Sequence, residues 1–305
     1  MRAILCTRWG PPEALQLAEV ARPEPRKGEV RIRIVATSVT ASDCIARGMR
    51  VPLRYRIVGK LLMGVRRPRR PIFGMVLSGE VDAVGRAVTT FRPGDQVFGM
   101  SKWRAGCYAE YVCWSAGTLL LPKPASLTHD EAAALPYGGL LACHLMRKAA
   151  IRRGQRILVY GASGAIGTAT VQLARHLGAR VTGVCSARNV DLVASLGAEQ
   201  VIDYASEDFT KRADRYDLII DAVGRRKSAA ALVHAGEALA PGGRSFSIDD
   251  DFPKFTIDDL QLLKRLAEAG ELTPVIDRRY RLEEMVEAHR YVELGHKRGN
   301  VIVTA

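Results

Sequence analysis

No stretch of this 305-residue sequence approaches the ~20 consecutive apolar residues that a membrane-crossing helix needs, because Arg, Lys, Gly or Pro interrupts each longer run. A helix-spanning membrane protein is thereby excluded. No fixed-period repeat and no low-complexity tract is present, which argues against a solenoid or a disordered arm. Cysteine is sparse and unclustered: Cys6, Cys44, Cys107, Cys113, Cys143 and Cys185 include no C-x-x-C pair. With no signal peptide legible over 1–7, a reducing cytoplasm is the expected compartment. Acidic residues are also in deficit, 32 against 45 Lys and Arg. That excess favours an anionic partner, whether a phosphorylated cofactor, a nucleic acid or an acidic membrane surface, without choosing among them.

A chain of this length, 48% hydrophobic and 25% charged, buries a large core but exceeds the usual size of one domain, so two are expected. Over 1–124, Gly and Pro punctuate period-two alternation such as Val30, Ile32, Ile34 and Ala36, the rhythm of short strands in a mostly β barrel or sandwich. Over 125–270, short apolar runs at 157–160, 181–184, 201–202 and 218–220 alternate with helical spacing, which implies a parallel sheet. The first such helix places Ile166, Ala169, Leu173 and Leu177 on one face before Gly178, and a second spans 189–196. The tail, with a strand at 274–276, a helix at 282–294 and a strand at 301–304, does not extend that series. Residues 271–305 are therefore assigned to the first domain.

The strongest motif is the apolar strand at 157–160 followed by Gly161-Ala-Ser163-Gly164-Ala165-Ile166-Gly167 and an amphipathic helix. Glycine permits a tight turn and close backbone approach to a pyrophosphate, and a helix start offers free N–H groups at the positive end of its dipole. Dinucleotide binding follows from the whole strand–turn–helix context rather than from the glycines alone. NAD-preferring sites carry an acid at the end of the second strand, ~20 residues on. Here that place reads Cys185-Ser186-Ala187-Arg188, whose hydroxyl and guanidinium suit a ribose 2′-phosphate and so favour NADP(H), although Arg188 also fits a purely solvated surface position.

The segments TASDCIARG, SGEVDAVG, FRPGDQVFG, YAEYV, ILVYGASGAIG, SLGAEQVIDY and AHRYVELGHKRGNVIV occur in that order. With them the chain resembles, nearly end to end, the medium-chain dehydrogenase/reductases and specifically their quinone-oxidoreductase-like branch. The resemblance implies an α/β protein: a Rossmann domain with a doubly wound parallel sheet, beside a GroES-like (chaperonin-10-like) mostly β domain, with cofactor in the cleft between them. It also implies that Tyr204 lies near the adenosine phosphate and that Val223 and Gly224 face the nicotinamide side. The zinc-dependent branch uses a Cys, a His-Glu pair and a second Cys. Thr40, Gly74-Met75-Val76 and Tyr137 stand in those places, and nothing at 98–111 resembles the four-cysteine structural lobe, so no metal is expected. His144, His176, His234 and His289 fall in expected helices and read as structural or solvent-facing.

Hydride chemistry belongs to the nicotinamide, so the protein needs chiefly to position an acceptor in a dry pocket. A quinone or enone suits a zinc-free site because its oxygen charge is delocalised. Ser42, Asp43 and Tyr137 are the candidate catalytic groups, against the plainer readings of helix cap, backbone orienter and packing residue. The leading function is NADPH-dependent reduction of a quinone or α,β-unsaturated carbonyl. A zinc-free alcohol or aldehyde oxidoreductase is the alternative enzyme. A noncatalytic NADPH-binding protein engaging nucleic acid or membrane through the acid-free stretch 50–70 is the alternative class. That stretch reads equally as a lid or as a solvated basic face. Finally, only 244–256 separates Gly243 from the next helix. That is too short for the further strand and crossover the resemblance implies, and it bears on the sheet edge through which a homodimer would form.

Overall fold

The computed structural model describes residues 1–50, 59, 61, 63–101 and 104–305. They form two compact units, one made of 1–136 with 276–305 and the other of 137–275. The centre of the basic stretch, at 51–58, 60 and 62, lies outside the described residues. Its flanks Arg66, Arg67, Arg69 and Arg70 are exposed.

In the first unit β1 (Arg2–Cys6) and β2 (Leu15–Glu19) form an antiparallel pair. The central strand is β3 (Glu29–Val39), where the alternating Val30, Ile32, Ile34 and Ala36 are all buried, as one core-facing side of a strand requires. It pairs with β4 (Val76–Val84), which leads through β5 (Gln96–Met100) to β7 (Leu119–Pro122), and also with β6 (Tyr111–Ser115). Trp114, Leu77 and Val97 fill the core beneath. Helix α1 (Ala41–Arg47) leaves the end of β3 on a capping box, in which the Thr40 side chain accepts from the Asp43 N–H and the Asp43 carboxylate accepts from the Thr40 N–H. A second capping box, Thr128 with Glu131, starts α2 (His129–Ala134). Its Ala133 and Ala134 pack on Ala36 and Ile302, which holds this segment in the first unit and carries the unit past residue 124 to 136.

The second unit opens with α3 (Pro136–Ala149), whose first residue still belongs to the first unit. There follow β8 (Arg156–Tyr160), α4 (Ala165–His176), β9 (Arg180–Cys185), α5 (Val190–Ser195), β10 (Gln200–Asp203), β11 (Tyr216–Asp221), α6 (Arg225–Leu232), β12 (Leu239–Ser247) and α7 (Ile257–Glu268). The five strands run in the order β10-β9-β8-β11-β12 and all are parallel. Ile157, Leu158 and Val159 are fully buried, as expected of a parallel strand covered on both faces. Strand order reverses between β8 and β11, and register aligns Tyr160 with Val184 on one side and Asp221 on the other.

The sheet order ends at β12. After Ser247 the chain makes a tight acidic turn and enters α7 on a Thr256/Asp259 capping box, with no length for another crossover. The turn is pinned. Asp250 accepts the Ser247 N–H (2.9 Å) and pairs with Arg225 (2.6 Å), while Asp251 meets His144 Nε2 (2.9 Å) and Lys148 (3.2 Å).

The tail returns to the first unit. In it β13 (Ile276–Arg281) lies parallel to β14 (Asn300–Thr304), β14 is antiparallel to β3, and α8 (Met285–Glu293) packs its apolar face into the same core as β1. β13 begins at Ile276, the last residue of the strand expected at 274–276, and continues past it to Arg281, because an edge strand with half its side chains in solvent needs no apolar run. All six cysteines are free thiols. Five are buried and Cys113 is half-buried. Among the described residues no helix is long and apolar enough to cross a membrane.

Candidate functional site

The glycine-rich turn sits between β8 and α4, at the carboxyl end of the sheet where strand order reverses, the place at which open parallel sheets bind ligands. Its shape is held by its own backbone: the Gly161 and Ala162 N–H groups both donate to Val184 O (3.1 and 3.0 Å), and the Gly164 N–H donates to Gly161 O (3.1 Å). Gly161 has φ +76, and a Cβ there would lie 2.3 Å from Val223 Cγ2. At Gly167 a Cβ would lie 2.1 Å from Gly161 O, so helix and turn approach as closely as only glycine permits. Gly164 is the N-cap of α4, supplies no side-chain cap, and is followed by no acid in the first turn. The first N–H groups of α4, those of Ala165, Ile166 and Gly167, thus have no intrahelical acceptor and no side-chain cap at the positive end of the helix.

At the end of β9, Ser186 is half-buried and Arg188 exposed. Beside them stands Asn189, a residue that sequence reasoning did not single out. It is 3% exposed, and its Nδ2 donates to both Ser163 Oγ (3.0 Å) and Ser186 Oγ (3.1 Å). Because each serine oxygen accepts from the amide, each hydroxyl keeps its own proton to donate, which is the arrangement an anion requires. Asn189 Oδ1 is buried without a hydrogen-bond partner among the described residues. Tyr204 follows β10 half-exposed, with its N–H on Cys185 O (3.1 Å). Val223 and Gly224 form the turn from β11 into α6, with Gly224 as N-cap. The structure therefore gathers Gly161, Ser163, Gly164, Ala165, Ile166, Gly167, Ser186, Arg188, Tyr204, Val223 and Gly224 at one end of one sheet.

The three candidate catalytic groups are not equivalent. Asp43 is buried: its Oδ2 accepts from Thr40 N–H (3.0 Å) and Thr40 Oγ1 (2.6 Å). Burial pushes its carboxyl above the usual range, opposed by Thr40 and by the nearby Tyr108 hydroxyl and Gly74 N–H. Ser42 is half-buried in the first turn of α1, and Tyr137 is buried in the first turn of α3, in the second unit. Near Asp43, Cys44 Sγ lies 3.3 Å from His289 Nδ1. Burial lowers His289 to about 3 and raises Cys44 to about 12, so both are neutral near pH 7. His144 and His176 lie in helices and pair with Asp251 and Glu271, whereas His234 lies in the turn after α6, not in a helix.

Two segments match family models for zinc-binding dehydrogenases, 165–267 and 252–303, and 26–125 matches the alcohol dehydrogenase GroES-like domain. The zinc in that description does not fit these residues. The Thr40 hydroxyl is committed to capping α1, Met75 and Tyr137 are not the thiolate and imidazole donors zinc takes, and among the described residues no three His, Cys, Asp or Glu side chains form a metal-ligating group. The chain is 30% identical to a tomato (Solanum lycopersicum) 2-methylene-furan-3-one reductase, over 99% of this chain and 79% of that protein. It is 28% identical, with the same coverages, to the chloroplastic NADPH-dependent alkenal/one oxidoreductase of Arabidopsis thaliana. The solved quinone oxidoreductase of Coxiella burnetii superposes with a TM-score of 0.84 at 29% identity, covering 100% of this chain and 99% of that one. The chain is a member of the medium-chain dehydrogenase/reductase superfamily, similar to its quinone and enone oxidoreductases.

Proposed function

We propose that this oxidoreductase uses NADP(H) to reduce a quinone or an α,β-unsaturated carbonyl without zinc. The observation that carries the reading is the uncapped, acid-free start of α4 beside two serines whose protons Asn189 leaves free. The Ala165, Ile166 and Gly167 N–H groups and the Ser163 hydroxyl bind the pyrophosphate; Ser186 and Arg188 take the 2′-phosphate, and a cofactor hydroxyl satisfies Asn189 Oδ1. When bound, the nicotinamide supplies the hydride. Tyr137, in the first turn of α3 and in the same unit as the glycine-rich turn, is assigned to hydrogen-bond and protonate the acceptor oxygen, while Asp43, held by Thr40, orients α1 rather than touching substrate. The similar enone and quinone reductases support this acceptor class. The six free thiols, none paired in a disulfide, support a reducing compartment for the reaction.

The test follows NADPH and NADH oxidation with a benzoquinone, a naphthoquinone, an enone, an enal and a simple aldehyde, with and without a chelator, in the parent chain and in Arg188→Ala. Chelator-insensitive turnover that prefers NADPH, with that preference reduced about tenfold in Arg188→Ala, is expected. Chelator-sensitive turnover of the aldehyde overturns the zinc-free reading. NADPH binding without any turnover, together with salt-sensitive binding to nucleic acid or anionic vesicles, replaces it with a noncatalytic role.

A further inference from the structure

Asp221, the last residue of β11, is 3% exposed, yet four donors converge on it. Its Oδ1 accepts the N–H groups of Val223 (3.0 Å) and Gly224 (3.1 Å), and its Oδ2 faces the hydroxyls of Ser228 (2.6 Å) and Ser247 (2.8 Å). One oxygen thus shapes the turn that leaves β11. The other ties that turn to the body of α6 and to the end of β12, the strand from which the shortened segment departs. The position of the turn matters to its neighbour, because Val223 Cγ2 occupies the space where a Cβ on Gly161 would sit. Asp221 therefore braces the β11 turn against the glycine-rich turn across the reversal of strand order, while Asp249 accepts the next N–H, that of Arg225 (3.0 Å), and shares the Ser247 hydroxyl (2.8 Å). A buried charge is costly to retain, and an apolar residue of similar volume would fill the space at no such cost. What it would not do is fix the direction of two successive N–H groups.

We infer that Asp221 is the positioning residue of the nicotinamide half of the cofactor site, acting through Val223 and Gly224 without touching the cofactor. The inference rests on the NADP(H) reading above and adds a division of labour: Ser186, Arg188 and Asn189 hold the adenosine half, and the Asp221 cluster sets the other.

Binding of NADPH and of adenosine 2′,5′-diphosphate, which carries only the adenosine half, separates the two. The titrations use the full chain with Asp221 intact and as Asp221→Ala, Asp221→Asn and Ser247→Ala. Loss of the turn in Asp221→Ala is expected to weaken NADPH about tenfold or more while leaving adenosine 2′,5′-diphosphate within about twofold. In Asp221→Asn the remaining oxygen still accepts both N–H groups and the serine hydroxyls turn to accept from the amide, so NADPH affinity returns to within about threefold of the parent. Equal loss of both ligands, or loss of neither, overturns the inference, as does an Asn variant as weak as Ala. Should Asp221→Ala not fold, Ser247→Ala decides: a smaller loss confined to NADPH supports the assignment and an equal loss of both ligands defeats it. A parent chain that binds neither ligand removes the dinucleotide reading itself and the inference with it.

Discussion

Helices α1 and α4 both leave the end of a buried strand, and they begin in opposite ways. At α1 the protein satisfies its own orphan N–H groups: Thr40 and Asp43 cap one another, and the carboxylate lies out of water. At α4 the N-cap is Gly164, no side chain caps it by a hydrogen bond, and no acid in the first turn complements the dipole. The first arrangement is architecture that is complete in itself. The second leaves stabilisation unclaimed, and a protein does that where a ligand is to supply it. The same contrast separates Asp43, whose charge is consumed inside one unit, from the serine hydroxyls beside Asn189, whose protons remain available.

Giving α4 the start that α1 has should abolish the difference. Gly164→Asp is expected to leave thermal stability unchanged or slightly higher, since Asp is an excellent N-cap, while a carboxylate facing the pyrophosphate weakens NADPH by on the order of a hundredfold. Calorimetric titration and a melting curve on one sample measure both, and undiminished NADPH affinity would break the comparison. The converse change, Asp43→Ala, removes the carboxylate half of the α1 capping box and strands the buried Thr40 N–H and hydroxyl that donate to it. Urea unfolding should show the first unit destabilised by about 2–4 kcal/mol, with affinity for adenosine 2′,5′-diphosphate unaltered. A further effect is electrostatic and appears only as pH falls. His289, behind α1, is held neutral with its pKa lowered to about 3, whereas the unfolded chain protonates near the ordinary value of 6.5. The unfolded state therefore gains its proton first as pH falls. The stabilisation is complete above about pH 6.5 and is lost toward pH 3, with a slope of at most about 1.4 kcal/mol per pH unit, which His289→Gln should flatten in unfolding curves taken across that range.

The second unit was more legible than the first, for physical reasons. A parallel strand buried on both faces writes itself as a continuous apolar run, so β8, β9 and β11 lie where the runs at 157–160, 181–184 and 218–220 place them. Leu177, placed on one face of the first helix with Ile166, Ala169 and Leu173, stands half-exposed at its C-cap, because end residues escape the helical period. The expected division after residue 124 differs from the observed one after 136, because α2 is a short alanine-rich segment whose attachment depends on distant Ala36 and Ile302. The signal that was present, Thr128 three residues before Glu131, marks where a helix starts and not which sheet it joins. The glycine turn was readable because backbone geometry demands glycine at fixed spacing. Asn189 and Asp221 were not, since a buried polar group gains meaning only from partners such as Ser163, Ser228 and Ser247 that folding brings to it.

The buried thiols have a consequence for endurance under turnover. A quinone or enone is a soft electrophile, and a protein that draws such molecules in risks being alkylated at any thiolate it exposes. Burial raises Cys6, Cys113 and Cys185 to about 11 and Cys44 and Cys143 to about 12, and pushes Cys107 well above its ordinary value. At neutral pH these sulfurs are almost entirely protonated and mostly out of reach, so the chain offers the compounds it is proposed to disarm little nucleophile of its own to poison.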